Sequence, residues 1–213
     1  MLRTRLQLMV ITDQKLAGHR DWLEVAEAAL QAGATAIQLR DKQATSGELL
    51  EMALALKPVA DRYDALFLVN DRFDVALAAG AHGVHLGDDD LPVSAVRAVV
   101  PRDFVIGRSA DTEADARQAE ADGADYLGVG SVFGTKTKVE VIGEVIGAAR
   151  LARVAAAVSI PVVGIGGVTA ANAAQIASAG AAGIAVVSAV MAAPDPGAAV
   201  RALLRAWQTR DGE

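Results

Sequence analysis

Arg40 and Lys42 stand two residues apart, so in an extended segment their side chains point the same way. Lys138 adds a third positive charge from far along the chain, and Ser109, Thr135 and Thr137 supply hydroxyl donors. Three cations with several hydroxyls suit a multiply charged phosphate or diphosphate, although Arg40 and Lys42 alone read equally well as a solvated loop pair. Asp71 and Asp90 are the carboxylates set against them. Two carboxylates beside an anion pocket repel what the pocket binds, unless a divalent cation lies between. Mg2+ takes one or two carboxylates, keeps waters and fills its octahedron with phosphate oxygens. Asp90 has a second reading, a helix N-cap ahead of Leu91-Pro92, and the run Asp88-Asp89-Asp90 also reads as a solvated face.

A second anion site is suggested by the run GIGG (164–167) and by Val187-Ser188. Glycine lets backbone N–H groups approach a phosphate closely, and such a run beside Val187-Ser188 would suit a monophosphate. Taken alone, GIGG also fits a turn needed only for packing. His85 reads as a packed or internally hydrogen-bonded histidine. No Ser-His-Asp set, zinc-spaced His/Glu cluster or GxGxxG fingerprint is present. Two phosphate sites, one of them for a Mg2+-bound diphosphate, point to group transfer with diphosphate as the leaving group.

These residues need elements that bring them together. Four segments share one pattern: AGATAIQLR (32–40), AGAHGVHLG (79–87), DGADYLGVG (122–130) and AGAAGIAVV (179–187). Each has a glycine where a helix would end and then runs into an apolar strand. A strand–helix unit of about 30 residues or less fits about twice between successive copies. Further strands are expected at 6–12, 65–70, 103–109 and 160–166. Helices are expected at 22–31, 48–60, 73–79, 93–99, 113–121, 148–157, 170–178 and 197–207. Thr112 with Asp115 three residues later, Pro92 and Thr169 mark helix starts. Eight strands alternating with eight helices predict an α/β fold, a (β/α)8 TIM barrel; an open doubly wound sheet is the alternative. In the barrel, all the polar residues named above fall at the C-terminal ends of strands, on one rim.

Composition narrows the classes. The 213 residues carry 20 Lys+Arg against 26 Asp+Glu, a net charge of −6, which argues against a general nucleic-acid surface. One domain over 1–213 is expected, with 206–213 as a frayed tail. No cysteine is present, so no disulfide framework, thiolate metal site or cysteine nucleophile exists. Residues 154–194 carry no charge, but glycines and prolines divide them into pieces too short to span a membrane. No targeting segment is expected. A cytoplasmic location and no membrane partner are expected, and assembly as a homo-oligomer stays open.

At these residues the chain resembles the thiamine phosphate synthase (thiamine phosphate pyrophosphorylase) family. The resemblance rests on QLRDK (38–42), NDR (70–72), GVHLGDDDLP (83–92), ADYLGVGSVFGTKTK (124–138) and VVGIGGVTAAN (162–172), and runs from about residue 8 to 191. It implies a (β/α)8 barrel joining a hydroxymethylpyrimidine diphosphate to a thiazole phosphate. It further implies that the segment Gln38, Leu39, Arg40, Asp41 and Lys42, with Asn70, Ser109 and Lys138, binds the pyrimidine diphosphate. Of these, Arg40, Lys42, Ser109 and Lys138 would be the catalytic residues. Asp71 and Asp90 would hold Mg2+. Thr135 and Thr137 would contact the thiazole, and Gly167, Val187 and Ser188 its phosphate. The family chemistry is dissociative and needs no protein nucleophile. The chain departs from the family at Asp88-Asp89, where Gln-Glu is common, and at Gly134, where Pro is usual. It also lacks a His after Arg108-Ser109-Ala110-Asp111. A thiazole tautomerase on the same barrel lacks the metal carboxylates and has a His where Ser131 stands; a non-catalytic regulator would need only the GIGG/Ser188 site.

Overall fold

A computed structural model of the chain describes residues 1–134 and 145–209. Its eight strands are β1 (Leu8–Ile11), β2 (Ala36–Leu39), β3 (Leu66–Asn70), β4 (Gly83–Leu86), β5 (Val105–Ser109), β6 (Tyr126–Val129), β7 (Val162–Ile165) and β8 (Gly183–Val186). Each pairs in parallel with the next. β8 pairs back onto β1, with Leu8 opposite Ile184 and Val10 opposite Val186, so the sheet closes and the open alternative is excluded. The architecture is a (β/α)8 TIM barrel.

The period of two along each strand divides the core. Met9, Ile11, Ala36, Leu66, Leu68, Tyr126, Val163 and Ala185 pack together inside the barrel. Their neighbours Leu8, Val10, Ile37, Leu39, Phe67, Val69, Val84, Leu86 and Ile106 face outward into the layer shared with the helices. Full burial of each large outward side chain contributes about 1.5–3 kcal/mol. The alanines Ala26, Ala29, Ala53, Ala60 and Ala76 are buried on the inner faces of the helices, where a small side chain lets helix and strand approach closely.

Tyr126 explains a glycine on the neighbouring strand. A Cβ on Gly107 would lie 2.2 Å from the Tyr126 ring, so the phenol fills the space that Gly107 leaves. The repeated glycines Gly33, Gly80, Gly123 and Gly180 all have φ between 64° and 106°, the left-handed turn that ends a helix before the next strand.

Helices Trp22–Gln31 and Glu113–Ala121 have the expected bounds, the second capped by Thr112, which accepts from the Asp115 N–H. Helix Ser46–Arg62 starts two residues earlier than expected because Thr45 and Glu48 form a reciprocal capping box. The helix expected at 170–178 begins only at Ala173. Asn172 folds back instead, its Oδ1 accepting from the Thr169 N–H and its Nδ2 donating to the Gly167 carbonyl. Three four-residue helices, Leu2–Arg5, Gln14–Ala17 and Ser188–Met191, have no periodic signal in the sequence. The last helix, Pro196–Gln208, keeps Trp207 buried, so the chain is helical and packed past residue 206, where the tail was expected to begin.

Candidate active site

The strand ends open onto one cavity of about 290 Å3. Its floor is apolar, from Met9, Ile11, Tyr126, Val163 and Ile165, and its rim is polar. Inward parity selects the lining. Gln38 continues the inward register of Ala36, Asn70 that of Leu66 and Leu68, and Gly128 that of Tyr126. Asn70 pairs with His85, His85 with Gly107 and Gly107 with Tyr126, while Ser109 and Gly128 pair two residues further along β5 and β6.

Arg40 and Lys42 leave β2 into the cavity rim. The Arg40 N–H donates to the Thr12 hydroxyl at 3.0 Å, and Thr12 is buried at the end of β1, so the exit from β2 is fixed. Parity sends Leu39 the other way. It is fully buried in the outer layer and its side chain does not reach the cavity. Asp41 also turns away: its Oδ1 accepts from the N–H groups of Gln43 (2.8 Å) and Ala44 (3.1 Å), and it lines a separate shallow groove.

Asp71 follows β3 in a left-handed backbone conformation (φ 64°), uncommon for a residue with a Cβ but tolerated best by Asp and Asn. Its N–H donates to the His85 carbonyl, and Lys42 Nζ lies 4.0 Å from its Oδ2. The Asp71 carboxyl is pushed up to about 6, first by burial and then by the hydrogen bond and charge of Asp90, with Lys42 and Arg40 pulling the other way. The two carboxyls therefore meet. Asp90 does not cap a helix: the cap position is Pro92, and Asp90 Oδ2 accepts from the Gly87 N–H at 2.6 Å. Asp88 and Asp89 are exposed, and Asp88 pairs with Arg108 at 3.1 Å. Arg108 also donates to the Gly87 carbonyl and so ties the loop that carries Asp90 to β5.

Asp71 and Asp90 can accept a divalent ion. Among the described residues no group of three or more acidic, His or Cys side chains forms a metal cluster. Two neighbouring carboxylates beside the cationic Arg40 and Lys42 are a donor set that suits Mg2+ when waters and phosphate oxygens complete its shell. A cation there also relieves the repulsion that raises the Asp71 carboxyl.

Below the rim lies a polar chain that joins Ser109 to two residues the sequence did not assign to the site, His85 and Tyr126. His85 Nδ1 lies 2.8 Å from the Tyr126 hydroxyl, and His85 Nε2 lies 3.2 Å from Ser109 Oγ. Tyr126 is fully buried, which pushes its phenol well up and keeps it neutral, with Gln38 as a smaller opposing influence. His85 is internally hydrogen-bonded, as read from the sequence, but it also lines the cavity. Counting back by two from Gly128 along β6 would have found Tyr126.

On the opposite side, Gly166 and Gly167 both have positive φ (92° and 66°), and a Cβ on either would strike the loop after β6, at Ser131 Oγ or the Gly134 carbonyl. The GIGG run therefore serves packing and cavity shape together. Gly167, Val187 and Ser188 all line the cavity. Ser131 lines it too, with a buried hydroxyl. Of the residues read from the sequence, the fold brings Gln38, Arg40, Lys42, Asn70, Asp71, Ser109, Gly167, Val187 and Ser188 to one cavity, with Asp90 against Asp71. Thr135, Thr137 and Lys138 lie outside the described residues.

The family model described as thiamine monophosphate synthase matches residues 8–190. A thiamine-phosphate synthase of Moorella thermoacetica is 48% identical over 196 residues, covering 92% of this chain and 93% of the relative. One of Methanospirillum hungatei is 46% identical over 194 residues, covering 91% and 94%. Among solved structures, a thiamine phosphate pyrophosphorylase from Pyrococcus furiosus superposes with a TM-score of 0.90 at 42% identity, covering 100% of both chains.

Proposed function

The chain belongs to the thiamine monophosphate synthase family, and from that premise we propose how its strand ends perform the reaction. The activity is a transfer: a hydroxymethylpyrimidine diphosphate condenses with a thiazole phosphate, giving thiamine phosphate and free diphosphate. In this reading Arg40, Lys42, Asn70 and Ser109 hold the pyrimidine diphosphate, with Gln38 beneath its ring. Gly167, Val187 and Ser188 hold the thiazole phosphate. Lys138, Thr135 and Thr137 keep the roles that the resemblance implies, for the diphosphate and the thiazole. Leu39 and Asp41 contribute no side chain to the cavity.

The bond between the pyrimidine methylene carbon and the diphosphate oxygen breaks, and its electron pair leaves with the oxygen. The thiazole nitrogen then donates its lone pair to the methylene carbon. No proton transfer is needed, so no general base is assigned. Arg40 and Lys42 place positive charge where negative charge develops on the leaving group, and Ser109 Oγ can donate to the same oxygens. Asp71 and Asp90 would hold Mg2+, which supplies further positive charge to the departing diphosphate. The apolar floor of Met9, Ile11, Val163 and Ile165 orients the two rings and excludes water that would compete for the methylene carbon.

The observation that carries this assignment is the meeting of the Asp71 and Asp90 carboxyls beside Arg40 and Lys42. Its test is an assay of the purified chain with both phosphorylated substrates, with Mg2+ or with EDTA. Diphosphate and thiamine phosphate should form together only with Mg2+, and equal turnover in EDTA would remove the metal from the account. No helix among the described residues is long and apolar enough to cross a membrane. A cytoplasmic location belongs to the same proposal, since both substrates carry phosphate charges that do not cross a bilayer unaided.

A further inference from the structure

Arg20 lies in the turn after helix Gln14–Ala17 and does not line the cavity. Its guanidinium nevertheless reaches the far end of the chain. Nη1 donates to the Ala193 carbonyl at 2.5 Å, Nη2 to the Met191 carbonyl at 2.7 Å, and Nε to its own Ala17 carbonyl at 3.2 Å. Two of the acceptors, Ala17 and Met191, are the last residues of the four-residue helices Gln14–Ala17 and Ser188–Met191, and Ala193 lies two residues past the second. Such ends present carbonyls without intrahelical partners and carry partial negative charge, which a guanidinium fork satisfies better than any other side chain.

Helix Ser188–Met191 leads directly out of the cavity wall, since Val187, Ser188 and Ala189 line the cavity while Val190 and Met191 are fully buried. A single helical turn has no stability of its own and takes its position from its tertiary contacts. One end of this turn is set by β8, and the other by Arg20, reaching across from the loop after β1.

We propose that Arg20 is a positioning residue for the thiazole-phosphate end of the cavity: by clamping the Met191 and Ala193 carbonyls it holds Val187 and Ser188 in place to bind the phosphate. This rests on the assignment of Val187 and Ser188 to that phosphate. Arg20 touches neither substrate, so its removal acts through the β8 turn and leaves the diphosphate side, built on β2, β3 and β5, as it was.

The test is steady-state kinetics of Arg20→Met and Arg20→Lys beside Ser188→Ala. Arg20→Met should raise KM for the thiazole phosphate about tenfold, with kcat at saturation and KM for the pyrimidine diphosphate within about twofold. Arg20→Lys should recover part of the loss, because an ammonium keeps the charge but lacks the planar fork. A fall in melting temperature with both KM values unchanged would make Arg20 merely structural and overturn the proposal, as would an equal rise in both KM values. Should Arg20→Met fail to fold, the same split between the two KM values is required of Arg20→Lys, and its absence there overturns the proposal. If Ser188→Ala raises the thiazole-phosphate KM and the Arg20 variants do not, the proposal fails alone. If Ser188→Ala also leaves it unchanged, the assignment of the phosphate site fails, and the proposal with it.

Discussion

Asp71 donates its backbone N–H to the His85 carbonyl at 2.8 Å, and this bond joins the end of β3 to β4 just ahead of the loop that carries Asp90. With Asp71 held in a left-handed conformation and the Asp90 carboxylate fixed by the Gly87 N–H, two carboxyls far apart in sequence are kept in contact although they repel. Backbone geometry that maintains an unfavourable pair of this kind is a mark of a functional site.

Replacing Asp71 by Asn removes one charge of the pair at nearly constant shape. The variant should lose about a hundredfold or more in kcat/KM at limiting Mg2+, while its metal-free melting temperature is unchanged or higher, because the repulsion is gone. Parallel thermal melts and kinetics check this. A variant that loses folding and activity together would point to a structural role.

The same pair sets a pH dependence. Asp71 is pushed up to about 6 in the folded chain from the ordinary carboxyl value of 3.8, so the folded state keeps a proton that the unfolded chain releases between those values. Its contribution to stability is therefore fully present below about pH 4 and is lost as pH rises through about 6. In EDTA, the wild-type melting temperature should fall relative to Asp71→Asn across that window. Adding Mg2+ should restore it, most strongly above pH 6. A difference between the two proteins that does not vary with pH would contradict the coupling.

Much of this was legible in the sequence because the barrel repeats. The glycine that ends each helix recurs ahead of β2, β4, β6 and β8, and the residues after each strand could be gathered on one rim before any contact was known. Inward and outward directions were less legible. Leu39 and Asp41 sit inside a motif that resembles a binding segment, yet parity buries Leu39 under the helices and a local turn engages Asp41. The helices of one turn were invisible for another reason: Ser188–Met191 has too few residues for a period, and a side chain from the other end of the chain holds it. Tyr126 escaped notice because its partner across the strands is a glycine, and an absent Cβ leaves no pattern to read.

That pairing yields a stability prediction. Gly107→Ala would put a Cβ 2.2 Å from the Tyr126 ring, with no flexible end to give way. The variant should be destabilised by about 1–3 kcal/mol, the usual cost of overpacking. Denaturant unfolding measures this, and a neutral result would mean that the ring has room to move.

Tyr126→Phe tests the chain below the rim. It removes the hydroxyl 2.8 Å from His85 Nδ1 and with it one hydrogen bond of the half-buried imidazole, a cost of about 0.5–1.5 kcal/mol. Because His85 meets Ser109 on its other nitrogen, KM for the pyrimidine diphosphate should rise several-fold while that for the thiazole phosphate stays constant. Equal changes in both would separate this chain from the diphosphate side.

The shared magnesium site is tested most directly by calorimetric titration of Mg2+ into the protein with inorganic diphosphate present, for the wild type, Asp71→Asn and Asp90→Asn. The account predicts one ion bound per chain by the wild type and an affinity at least about tenfold weaker in each variant. Unchanged Mg2+ affinity in both variants would contradict it.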